Sequence, residues 1–298
     1  MNPRFAPAAS RRGLLKGGAA ALALGVIRLR YPAAAGAQEA ASPVTDVCVL
    51  TPELTEGPYY LPLDLVREDI TEGKAGLPLR LQVLVADLAN GCVPLPDAAV
   101  DIWHCAAQGY YSGVEGNPGG GADEDAGVGA ASGTFLRGIQ LTGDDGLTEF
   151  TTIYPGWYSG RTVHIHMKVH VGGGEESGSA PTYEGGHVAH TGQIFFDDAV
   201  SDEVYTTSEA YAGRDNAQRL RNDQDNILGD HADEPGFIVA LSPLVEGDPS
   251  AGFLGTITIG VDPGSTPEPA GFGGGPPPDG APGGPPPDGP PPGDAPDA

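Results

Sequence analysis

The sequence predicts an all-β domain, an antiparallel β-sandwich with long loops, on three observations. Gly (47) and Pro (30) are abundant in the 298 residues. Segments of helical period are scarce, and short apolar runs recur between turn signals. Those runs lie at 79–86, 99–103, 135–140, 148–153, 162–171, 192–196, 237–242 and 254–261. Short strands punctuated in this way close as two packed sheets or a barrel.

The elements follow in chain order. Residues 1–37 carry six basic side chains (Arg4, Arg11, Arg12, Lys16, Arg28, Arg30) and no acidic one. Ser10-Arg11-Arg12-Gly13-Leu14-Leu15-Lys16 resembles a twin-arginine export signal, followed by a small apolar region at 17–27 and a cleavage-like Ala35-Gly36-Ala37. That apolar region is too short for a bilayer, which needs about 20 residues. Export to the periplasm or cell exterior, with no membrane span after processing, is the expectation. The folded domain is expected over 38–262.

It begins with a turn-rich arm, Thr55-Glu56-Gly57-Pro58-Tyr59-Tyr60. Run 79–86 alternates as a strand should; 99–103, 135–140 and 148–153 are shorter. Residues 112–133 are Gly-rich and acidic and read as a long surface loop. Run 162–171 alternates strictly, with Val163, Ile165, Met167 and Val169 on one side. Residues 202–221 suggest one short helix and 222–234 an acidic loop. From 263 to 298 the composition collapses to mainly Gly, Pro, Ala and Asp, and Gly-Gly-Pro-Pro-Pro-Asp-Gly occurs at 274 and again at 283. Such a tail has too little apolar surface to fold and is expected to be disordered.

Charge narrows the partners. Net charge is −25, and removing the six cationic residues of 1–37 leaves −31. Nucleic acid and anionic membranes both need basic patches, so neither is an expected partner. The three cysteines (Cys48, Cys92, Cys105) lack the paired spacings of zinc sites. In an oxidising compartment one disulfide is plausible, with Cys48 and Cys92 the favoured pair. No nucleophile-elbow, P-loop or dinucleotide-binding pattern is present.

Chemistry concentrates in Tyr154 to His170, where Tyr158, Arg161, His164 and His166 fall within nine residues. Strand periodicity points His164 and His166 the same way, ~6.6 Å apart at Cα, close enough to share a metal. A solvated polar face would show the same pattern. His170 shares that face but sits about 13 Å beyond His166. His187 and His190 form a loose pair in what reads as a Gly-rich loop, and His104 reads as structural.

A second cluster, Trp103-His104-Cys105 followed after five residues by Tyr111-Ser112-Gly113, raises the odds of a metal. Together with the Thr55–Tyr60 arm, Phe135-Leu136-Arg137-Gly138-Ile139-Gln140, and Pro155-Gly156-Trp157-Tyr158 leading to Arg161 and His164-Ile165-His166, it resembles the intradiol ring-cleavage dioxygenases, the family of catechol and protocatechuate dioxygenases. The motifs stand in family order over residues 46–261. The resemblance implies Fe(III) held by Tyr111, Tyr158, His164 and His166, with Tyr110 and Tyr154 left to packing. It implies a catechol-type substrate and O2, with cleavage between the two hydroxyl-bearing carbons to a muconate-type diacid, and a possible homo-oligomer. Tyr158 would also act as a base, Arg161 would stabilise negative charge on the ring, and Gln193 would assist. Such a ligand set is chemically coherent, because hard phenolate oxygens favour a high-charge cation and imidazole suits iron. Two rivals stand beside this reading: a secreted binding domain with little turnover, and a zinc or copper enzyme using His164, His166 and His187 or His190. Residues 112–133 and the arm around Tyr59 and Tyr60 depart from the family pattern and leave the choice of catechol open.

Overall fold

β1 (Pro78–Asp87) is the strand around which the first sheet is built. In the computed structural model, which describes residues 49–114, 133–268 and 270–271, it pairs on one side with β5 (Leu147–Ile153) and the short β2 (Val93–Pro94), both antiparallel. On its other side lies β9 (Asp248–Val261), parallel to it from Leu79/Phe253 to Asp87/Val261, and β8 (Ala240–Val245) closes that edge. The parallel pair is a departure from a purely antiparallel sandwich. β9 is reached only after the chain has passed through the second sheet and a helix, so no tight hairpin dictates its direction.

The second sheet has the order β4-β3-β6-β7, from β4 (Arg137–Leu141), β3 (Ala99–Trp103), β6 (His164–Glu176) and β7 (Thr182–Phe195), all antiparallel. Alternation decides what faces the first sheet. Ile165, Met167, Val169 and Val171 of β6 join Val100 and Ile102 of β3 and Leu79, Leu81, Val83 and Val85 of β1 in one buried core. Each such aliphatic side chain contributes about 1.5–3 kcal/mol over its exposed state.

Four expectations need correction. The histidines His187 and His190 lie on β7, which begins at Thr182 rather than at 192. Glycines and a register shift at Val169/His170 hide the period-two pattern there. Gly186 takes φ +71, and a Cβ on it would collide with the Val171 carbonyl. β6 extends to Glu176 and β9 starts at Asp248, both beyond their apolar runs, because polar residues continue the ladders. The helix is α1 (Asp198–Thr207), earlier and shorter than 202–221, followed by single 3-10 turns. Asp197 caps it by accepting from the N–H groups of Ala199 and Val200. Thr206 and Thr207 donate their hydroxyls back to backbone carbonyls in its last turn, a pattern that weakens helices. Cys92 is disulfide-bonded, while Cys105 is a free, buried thiol. Its favoured partner Cys48, the export-like segment, most of the 112–133 loop and nearly all of the tail lie outside the described residues.

The outer face of the second sheet is the one that matters for chemistry. It carries Arg137, Trp103, His166 and Gln193 in one cross-strand row and Ile139, Asp101, Lys168 and Thr191 in the next. The arm crosses this face from edge to edge. Leu54 N–H donates to Thr191 O at 2.9 Å on β7, and Arg67 N–H to Ile139 O at 2.9 Å on β4.

Candidate metal centre

The site is built on the N-terminal end of β6, beneath the arm. His164 is oriented by its own strand entry, because Nδ1 lies 2.7 Å from the Thr162 carbonyl. A carbonyl only accepts, so Nδ1 carries the proton and Nε2 presents its lone pair. Burial and the nearby Arg161 hold His164 well below the ordinary histidine range. His166 is likewise depressed by burial, then by His164. Trp103 stacks flat on His166, with ring centroids 5.1 Å apart and planes 6° apart. The arm seals the other side: Gly57 adopts φ +76, and a Cβ there would stand 2.8 Å from His166 Cε1. Glycine serves this position twice, for its backbone and for the close approach.

Tyr158 arrives from the turn Pro155-Gly156-Trp157. That turn is braced by α1, whose Tyr205 hydroxyl donates to Pro155 O at 2.8 Å, and by Trp157 Nε1, which donates to Asn216 Oδ1 at 3.2 Å. Tyr111 arrives from the turn after β3. Its neighbour Ser112 is fixed by Arg137, which donates through Nε to Ser112 Oγ at 2.9 Å and through Nη2 to Ser112 O at 2.8 Å. Tyr59 of the arm stacks on Tyr111 with centroids 4.6 Å apart.

The four side chains converge. His164 Nε2 lies 3.1 Å from Tyr158 Oη, 3.1 Å from His166 Nε2 and 3.4 Å from Tyr111 Oη. One imidazole nitrogen offers one lone pair, yet three donor-capable atoms crowd it. Burial, reinforced by the Tyr158 hydroxyl, raises Tyr111 well above the ordinary phenol range; burial likewise raises Tyr158, against the pull of Arg161. Two buried phenols and two neutral imidazoles sharing one point form a donor set that a high-charge cation fits, since a cation lowers phenol acidity as it does that of water and thiols. Among the described residues no group of three His, Cys, Asp or Glu side chains could hold a metal. His187 and His190 therefore supply no third histidine to His164 and His166. His190 instead places Nδ1 2.6 Å from Glu53 Oε1.

Arg161 lies beside this cluster with its side chain 14% exposed. Its Nε donates to Asp225 Oδ2 at 2.9 Å and its Nη2 to Gln193 Oε1 at 2.6 Å. Gln193 is occupied at both ends, for its Nε2 donates to Thr55 O at 2.7 Å. It thus acts on Arg161 and the arm. Tyr110 and Tyr154 pack as expected, Tyr110 edge-on to Phe135 and Tyr154 bonded to Ser201 at 2.8 Å. His104 is buried between Cys105 O and Thr152 Oγ1, and burial pushes it down to about 4. Sequence reasoning passed over Gly57, the Thr162 carbonyl and Asp225, and gave Tyr59 no contact with Tyr111. Gly57 and Tyr59 stood inside a matched motif, but nothing in the local pattern announces Asp225, which lies 61 positions after His164.

The sandwich has solved relatives. No family model and no curated protein matches the chain. The intradiol ring-cleavage dioxygenase from Tetranychus urticae is 30% identical, with a TM-score of 0.58, over 74% of this chain and 98% of that one. The dioxygenase Tetur07g02040 is 29% identical, with a TM-score of 0.57, over the same shares. The chain belongs to the intradiol ring-cleavage dioxygenase family and is an enzyme of that type.

Proposed function

We propose that the protein is a ferric dioxygenase that opens a catechol-type ring between its two hydroxyl-bearing carbons with O2, giving a muconate-type diacid. The observation that carries the reading is the meeting of Tyr111, Tyr158 and His166 around the Nε2 of His164, all within 3.4 Å. Those four residues would hold Fe(III). When bound, Fe(III) supplies the charge that keeps phenols ionised and activates a coordinated catecholate toward O2.

The chain's own groups account for the rest. Tyr158 Oη is the basic site for one substrate hydroxyl proton, since transfer from one phenol-type hydroxyl to another is nearly balanced. Arg161 keeps Nη1 without a hydrogen-bond partner among the described residues, so this corner is free to meet negative charge developing on the ring. Tyr59 and Trp103, packed on Tyr111 and His166, keep water from the donor atoms. Export through a twin-arginine route, to the periplasm or outside the cell, is proposed on residues 1–37 alone. Lysines in place of both Arg11 and Arg12 should then hold the protein in the cytoplasm.

Metal analysis with a visible spectrum tests the core of the reading. A red-brown preparation with one iron per chain and O2 uptake with catechol, protocatechuate or hydroxyquinol is the expected result. A colourless, iron-free native protein would refute the ferric centre. An iron-loaded protein that consumes no O2 with any catechol would make it a binding domain.

A further inference from the structure

Asp225 belongs to no motif that points to the reaction; it lies in the turns between α1 and β8. Its side chain is 0% exposed. A buried carboxylate needs donors on all sides, and this one has four. Oδ1 accepts from the backbone N–H groups of Ile227 at 2.8 Å and Leu228 at 3.0 Å. Oδ2 accepts from Arg161 Nε at 2.9 Å and from Thr162 N–H at 2.7 Å.

The two oxygens divide the work. Oδ1 shapes the 225–228 turn, a purely local role. Oδ2 reaches across to the peptide that enters β6, gripping one backbone N–H and one side chain. Burial pushes the carboxyl up, but Arg161 and the hydrogen bonds outweigh it and leave Asp225 below its usual range. It therefore faces Arg161 as an anion.

We infer that Asp225 is a positioning residue for ring cleavage, holding the Arg161 guanidinium by its Nε corner so that Nη1 is the corner presented to the substrate. This rests on the assignment of Arg161 to the substrate side made above. A planar guanidinium anchored at Nε by Asp225 and at Nη2 by Gln193 cannot rotate about its long axis. Asp225 also neutralises Arg161, so its loss would raise the positive potential seen by an anionic catecholate while freeing the fork to move.

These two consequences give the test its signature. Asp225→Asn should lower kcat, counted per iron-loaded site so that an unfolded fraction drops out, at least fivefold with KM unchanged or lower. In an Arg161→Ala background the same substitution should change kcat less than twofold, because Asp225 acts through Arg161. A smaller loss in the first case, or an equal loss in both backgrounds, overturns the inference. A second measurement needs no Asp225 variant. In the protein with gallium(III) exchanged for any iron, the Arg161 Nε–H, assigned by its disappearance in Arg161→Lys, should exchange with water at least 100-fold more slowly than in free arginine. Exchange at the free rate overturns the inference. Failure of the wild-type protein to consume O2 would end the ring-cleavage reading instead, and the Nε–H rate would still report whether Asp225 holds Arg161.

Discussion

One face of β6 carries four polar side chains in alternation, yet its two ends do opposite things. At the entry end His164 and His166 are neutral, and two phenols with no carboxylate stand against them. At the far end Lys168 pairs with Glu56 at 2.5 Å and lies 3.6 Å from the Tyr60 ring, and His170 faces Asp101 at 3.9 Å. The strand pattern is the same throughout. What differs is what the neighbouring strands and the arm place opposite: phenols at one end, carboxyl groups at the other. Lone pairs left to converge make a site, and charges that meet partners make structure.

Breaking the comparison at its extremes gives the largest effect. His166→Ala should remove most of the iron and, with it, more than ~100-fold of the activity, since even residues that only support a metal ligand are worth 10–100-fold. His170→Ala, two strand repeats along the same face, should leave iron content and turnover within about twofold of the parent, in the range of substitutions away from a working site. Iron analysis and O2 uptake on the two variants decide it. Next is Tyr158→Phe, which keeps the ring packing and removes a donor oxygen. Turnover should fall by about 10²–10⁴, the usual range for a positioned proton acceptor, and the visible band should shift.

A smaller effect tests the lid over the entry end. Gly57→Ala puts a methyl 2.8 Å from His166 Cε1 on a backbone at φ +76. Left-handed backbone costs a residue with a Cβ roughly 1–2 kcal/mol. His166 must also yield, so iron affinity should drop about 10-fold, as for other losses of support to a ligand. Titration of the visible band against a competing chelator reads this directly.

How far the site could be read from the sequence follows from the same physics. Period-two alternation placed His164 and His166 on one face, and ordered motifs singled out Tyr111 and Tyr158. The other three come within hydrogen-bonding reach of His164 Nε2. The sandwich was likewise readable, because apolar alternation is local. β7 was not, since its glycines and the shift at Val169/His170 interrupt that alternation. Gln193 was found, but its tie to Arg161 and Thr55 was not. Asp225 escaped because its partners Arg161 and Thr162 lie more than 60 positions away, and an Asp in an acidic loop carries no periodic signal.

The smallest effect concerns the balance at the far end. Asp101 is buried among Tyr60 and Asp64 of the arm, Arg137 of β4, and Lys168 and His170 of β6; burial pushes it up to about 7. An unfolded Asp titrates near ~3.9, so between about pH 4 and 7 the folded chain holds a proton that the unfolded chain has lost. Stability from this group therefore falls as pH rises through that window. His170 is pushed down to about 4 by burial and Lys168, against ~6.5 when unfolded, so its contribution rises with pH over nearly the same range. The two slopes oppose each other, and the parent protein should show little net dependence from them. Each single substitution should uncover the other: Asp101→Asn leaves stability climbing with pH, and His170→Ala leaves it falling. Denaturant midpoints at about pH 5 and pH 7 distinguish the two. Slopes of the same sign in both variants would mean that the far end is not balanced by this pair, and that Lys168 and Glu56 alone neutralise it.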